Sequence, residues 1–87
     1  PDESTFGLSP SGLAIHPATG ELYIISSVGK MLVVLSPEGQ IRHIEKLKKK
    51  VHPQPEGICF DPGGGLYISN EGKGGKATLH YFSQRVE

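Results

Sequence analysis

The chain has 87 residues, 36% of them apolar and none of them Trp, with nine basic residues against nine acidic ones. That length holds one small domain or part of a larger one, and the cancelled charge shows no basic excess of the kind a nucleic-acid binder concentrates on one face. No apolar stretch approaches the roughly 20 residues of a membrane-crossing helix, and a lone cysteine, Cys59, excludes an internal disulfide or a multi-cysteine metal site.

Residues 1–9 lead in from Pro1-Asp2-Glu3-Ser4, with neither Met nor a signal peptide, and read as the start of a processed product or fragment. Leu13-Ala14-Ile15 is a short apolar run, ended by the breakers His16-Pro17-Ala18-Thr19-Gly20. Glu21 to Ser26 is rich in Ile and Tyr, as strands are. A turn at Ser26-Ser27-Val28-Gly29 leads to a third run, Lys30 to Leu35. Ser36-Pro37-Glu38-Gly39 is a strong turn, because Pro presets φ at its second position and Gly closes it. Gln40 to Leu47 is expected to be a fourth strand, although Ile41, Ile44 and Leu47 are spaced by three and also suit a short helix. The basic run Lys46-Leu47-Lys48-Lys49-Lys50 reads as a solvated loop. Three more strands follow, at Gly57 to Phe60, Leu66 to Ser69 and Ala77 to Phe82, and the last five residues are too few for a fourth. Cys59 sits in an apolar run and is expected to be a small buried hydrophobe.

These elements repeat. Pro10-Ser11-Gly12-Leu13-Ala14-Ile15-His16-Pro17 matches Pro55-Glu56-Gly57-Ile58-Cys59-Phe60-Asp61-Pro62 at an offset of 45. Gly20-Glu21-Leu22-Tyr23-Ile24-Ile25-Ser26 matches Gly64-Gly65-Leu66-Tyr67-Ile68-Ser69-Asn70 at an offset of 44. A period of about 40–50 residues containing several short strands is the mark of a β-propeller blade. The expected fold is therefore all-β. A four-stranded antiparallel blade spans residues 10–54, and a last blade without its outer strand spans 55–87. Two blades do not make a ring of about four to eight. The partners expected are the remaining blades of a parent propeller or other copies of the chain.

The motifs P-[S/E]-G-[L/I]-x-[I/F]-x-P and G-x-L-Y-I-x-S, carried by "PSGLAIHPATGELYIISS" and "PQPEGICFDPGGGLYISNEG", resemble the SdiA-regulated family of bacterial envelope β-propellers. The similarity covers nearly the whole chain. In looser form the pattern is shared with NHL-repeat propellers and with calcium-dependent lactonases of the gluconolactonase type. The resemblance implies a propeller in the periplasm or tethered to the cell envelope, with a link to calcium handling. It implies no known reaction.

Antiparallel pairing puts the start of the first strand and the end of the second on one rim of a blade. Glu56, Asn70, Glu71 and Lys73 should share that rim in the second copy, where the first copy has Ser11, Ser26 and Ser27. Two carboxylates and an amide oxygen suit Ca²⁺, which takes about 6–8 oxygens. The lactonase propellers use a Glu from an "EG" start and an Asn from such a loop, and Glu56 and Asn70 resemble those positions. The other reading is that Glu56 and Asn70 only pin turns through hydrogen bonds to backbone. His16, His43, His52 and His80 follow no ligand spacing and are expected to be structural or exposed. Tyr23 and Tyr67 share a repeat position and are expected to pack between blades.

Asn70 to Leu79, with its interleaved glycines and lysines, is a strand-connecting loop rather than a phosphate loop, because G-x-x-x-x-G-K-[ST] is not met. The leading expectation is a non-enzymatic envelope propeller whose rim binds a cation, Ca²⁺ for choice, or a small ligand. A lactonase-like hydrolase and a protein-interaction scaffold are the rivals.

Overall fold

A computed structural model describes residues 10–48, 52, 54–72 and 76–83. Seven strands, β1 (Gly12–Ile15), β2 (Leu22–Ser26), β3 (Met31–Leu35), β4 (Ile41–Lys46), β5 (Pro55–Phe60), β6 (Leu66–Glu71) and β7 (Ala77–Phe82), form two antiparallel sheets. Their orders are β1-β2-β3-β4 and β5-β6-β7, so each sheet is a plain meander with β4 or β7 outermost. The all-β expectation of one four-stranded and one three-stranded blade, with no closed ring, is what the chain adopts.

The fourth element is a strand, and its register explains the helix-like spacing. Val34 pairs with His43 but Leu35 pairs with Ile41, so a β-bulge inserts Arg42. One extra residue lets Ile41 and Ile44, three apart, lie on the same face of the sheet. A second bulge lies between Pro55 and Gly57, where Asn70 and Ser69 are the consecutive partners, and Glu56 is the residue left over.

The hairpin turns at one end of the sheets share a device. His16 Nδ1 accepts from the backbone N–H groups of Ala18 and Thr19 at 3.1 and 3.3 Å. Ser36 Oγ accepts from Glu38 and Gln40 at 3.2 and 3.0 Å. Asp61 Oδ1 accepts from Gly63 and Gly65 at 3.0 and 2.8 Å. A side-chain acceptor on the first turn residue thus satisfies N–H groups that no strand reaches. Gly20 and Gly64, equivalent in the repeat, hold φ of 77° and 92°, the left-handed region where glycine pays no steric penalty.

The core lies between the two sheets, because each sheet buries the face that meets the other. Ile25, Leu32, Leu47 and Ile68 are buried there, with Tyr23, Ile58 and Leu66 packed against them. Phe60 meets Tyr23 edge-on at 4.8 Å and His16 at 4.8 Å, an arrangement that ring quadrupoles favour. A Cβ on Gly12 would come within 3.3 Å of the Glu56 carbonyl oxygen, so this glycine lets β1 and β5 approach closely. Ser11 Oγ donates to the Pro55 carbonyl at 2.8 Å and ties the sheets at that end. Tyr23 therefore packs between blades as its repeat position implies. Tyr67, on the opposite face of its own sheet, packs on Tyr81 at 4.8 Å instead.

Cys59 corrects an expectation: it is exposed. In β5 the alternation turns Ile58 and Phe60 toward the first sheet, so Cys59 between them points away. The apolar run is a strand with one face covered.

Candidate functional site

The bulge in β5 and the last residues of β6 meet at one end of the second sheet. Pro55 is the register partner of Asn70, and the Glu71 N–H donates to the Gln54 carbonyl at 3.0 Å. Glu56, Asn70 and Glu71 are thus brought to the same rim, while Lys73 lies outside the described residues. Glu56 and Glu71 are exposed, and no backbone partner in the opposite strand claims Glu56. Bulges of this kind re-aim a side chain and recur beside binding sites.

Asn70 differs from its neighbours. It is 1% exposed, and its carboxamide Nδ2–H donates to His52 Nδ1 at 3.1 Å. That bond requires His52 to be neutral with its proton on Nε2. Asn70 Oδ1 has no hydrogen-bond partner although it is shut away from solvent. An unmet buried acceptor is costly, and its first-sheet counterpart avoids the cost. There Ser26, fully buried at the same repeat position, donates to the Val28 carbonyl at 2.6 Å.

His52 joins the site from the segment between the sheets, a position that no strand periodicity marks. Its N–H donates to the Lys48 carbonyl at 2.7 Å. The ring is buried, stands 5.1 Å from His80 and 5.9 Å from Phe82, and has a pKa lowered from 6.5. Burial is the main cause and the nearby His80 adds to it. Of the other histidines, His16 caps a turn from a buried position, His43 is exposed, and His80 is half-buried beside His52.

Beyond this rim, a groove of about 780 Å³ runs between the sheets, lined among others by Tyr23, Phe60, Leu66, Phe82 and His52.

As a cation site the rim is a partial shell. Glu56, Asn70 and Glu71 offer oxygens only, as a hard ion requires, but far fewer than about 6–8. Successive residues of a strand point to opposite faces, so Asn70 turns inward to His52 while Glu71 turns outward. Among the described residues, no three His, Cys, Asp or Glu side chains gather as a metal cluster would need. Asp61, in a loop with a passing resemblance to a calcium loop, has one carboxylate oxygen taken by backbone N–H groups. No described helix is long and apolar enough to cross a membrane.

Sequence comparison adds one match. The model of the family described as SdiA-regulated matches residues 3–73, most of the chain. A comparison with curated proteins finds no match.

Proposed function

The chain belongs to the SdiA-regulated family, and on that premise we propose that it serves as a ligand-binding, non-catalytic segment of a propeller in the bacterial cell envelope. Its ligand is a cation, Ca²⁺ first, or a small cation-bearing molecule, held at the rim where Glu56 and Glu71 present exposed carboxylates and Asn70 lies buried beside them. The observation that carries this reading is the pairing of a bulged, exposed carboxylate with a buried carboxamide oxygen that has no partner, at one strand end. The first sheet, with Ser11 and Ser26 at the matching places, satisfies its hydroxyls internally. The second sheet thus departs from the first in the direction of oxygen ligands.

Binding rather than turnover is favoured because the three rim residues form no hydrogen-bonded acid–base couple, the arrangement that proton transfer uses. Export beyond the cytoplasm is part of the same proposal and rests on what the resemblance implies. Because the shell is partial, the chain is expected to bind Ca²⁺ weakly by itself. Calorimetry should show heat on Ca²⁺ addition, lost in Glu56→Gln and reduced in Asn70→Ala. Absence of heat, with no change in melting temperature, would remove the cation reading. Lactone hydrolysis abolished by a chelator would replace it with a metal-dependent hydrolase.

A further inference from the structure

Two imidazoles meet over the inward face of the second sheet. By register Asn70 lies opposite Thr78 and Ile68 opposite His80, so Asn70 and His80 are diagonal neighbours on one face. His52 reaches that face from the segment between the sheets. Its ring centre is 5.1 Å from that of His80, and its Nδ1 is 3.1 Å from the Asn70 carboxamide nitrogen. Three separate elements thus deliver two imidazole rings and one carboxamide to a single spot. His52 and Asn70 are buried there and His80 is half-buried.

Edge-to-face packing accounts for the ring contact but not for the unpartnered Asn70 oxygen. A half-turn about Cβ–Cγ exchanges the oxygen and nitrogen of a carboxamide, which brings that oxygen to the side where His52 stands. His52 Nδ1 accepts from Asn70 and so already holds a lone pair, as a metal-ligating histidine must. With ring nitrogens at about 2.0–2.1 Å from a tetrahedral ion, two imidazole centres lie about 5 Å apart, and adjacent ligand atoms about 3.4 Å apart. The 5.1 and 3.1 Å found here are close to both separations.

We infer that His52, His80 and Asn70 bind a borderline divalent metal ion, Zn²⁺ first, with the Asn70 oxygen turned toward it and water completing the shell. The amide nitrogen then takes the oxygen's former place, so one unmet group replaces another and the metal bonds are the gain. Imidazole nitrogens suit Zn²⁺, whereas Ca²⁺ takes oxygens. The site is therefore different from the carboxylate rim. Glu56 and Glu71 take no part in it, and the two share Asn70 alone. Among the described residues no three His, Cys, Asp or Glu gather; here the third ligand is a carboxamide. The groove between the sheets is lined in part by His52 and gives an ion a path to the ring.

The test titrates Zn²⁺ into the chain by calorimetry and follows the histidine ring nitrogens by NMR. One Zn²⁺ per chain is expected, with the His52 and His80 signals shifting and those of His16 and His43 unmoved. His80→Gln and Asn70→Ala should each weaken binding about tenfold or more, with circular dichroism to check folding. Asn70→Asp, which offers a charged oxygen at the same place, should bind at least as tightly as the wild type. His43→Ala, which removes the exposed His43–Glu45 pair, should leave affinity unchanged. Glu56→Gln should keep Zn²⁺ binding even where it abolishes the Ca²⁺ heat, so the two cation readings fail separately. Where a variant does not fold, the wild-type ring signals carry the test. Zn²⁺ that shifts only His16 or His43, that binds His80→Gln as tightly as the wild type, or that does not bind at all would overturn the inference.

Discussion

The two sheets follow the same meander path, yet they bury different things. In the first, Ile24, Ile25, Leu32, Val33 and Val34 are all buried, so β2 and β3 are apolar on both faces. In the second, Ile68 and Pro55 are the buried apolar side chains among the described strand residues, and Ser69 and Asn70 follow Ile68 where the first sheet has Ile25 and Ser26. A shared backbone plan therefore does not impose a shared face chemistry. The first sheet has apolar side chains on both faces, whereas the second has fewer buried ones and polar groups at its rim. The sheet with less apolar burial carries the orphaned Asn70 oxygen and the bulged Glu56.

Deleting side chains tests that contrast most sharply. Ile68→Ala should cost about 2–5 kcal/mol in denaturant unfolding, a large part of the about 5–15 kcal/mol available to a small domain. Leu79→Ala, one strand over on the outward face, should stay within about 0.5 kcal/mol for the separated chain. Equal losses would mean that both faces of the second sheet are covered.

The turns give a smaller effect. Asp61→Ala should destabilise by about 1.5 kcal/mol, since it removes a charged acceptor from two N–H groups. Ser36→Ala, which removes a neutral one from the first sheet, should cost about 0.5–1.5 kcal/mol. A larger loss at Ser36 would reverse the ranking of the two caps.

The smallest effect depends on pH and belongs to the second sheet. The folded His52 has a pKa below 6.5, so the unfolded chain takes up this proton first. Stability is then complete above pH 6.5 and is lost as pH falls through the lowered folded value, with a slope of at most about 1.4 kcal/mol per pH unit. His52→Gln should remove this component from the pH dependence of the melting temperature. A curve unchanged by that substitution would mean that His52 titrates normally in the folded chain.

Much of this was legible in the residues. Period-two runs, Gly and Pro punctuation and the offset of 44–45 specify seven strands in two meanders, and the structure has those strands. The fourth strand was ambiguous because a bulge residue is invisible in composition, and Arg42 makes a strand mimic helical spacing. The strand-end logic also put Glu56, Asn70 and Glu71 on one rim. It missed His52, because a side chain that reaches Asn70 from 18 residues away leaves no periodic trace. Asn70 bonds a neighbouring ring rather than backbone, and does so with its nitrogen alone.

The strand order has one more consequence, at the outer borders. On the first sheet the border is β4, whose six residues include Arg42, Glu45 and Lys46. On the second it is β7, Ala77-Thr78-Leu79-His80-Tyr81-Phe82, which carries no lysine, arginine, aspartate or glutamate. Charges along an open border discourage a stray strand from adding to it, and a border without them invites amyloid-like growth. Handled by itself at high concentration, the molecule should begin to aggregate along β7, and a lysine in place of Thr78 is the simplest gatekeeper against it.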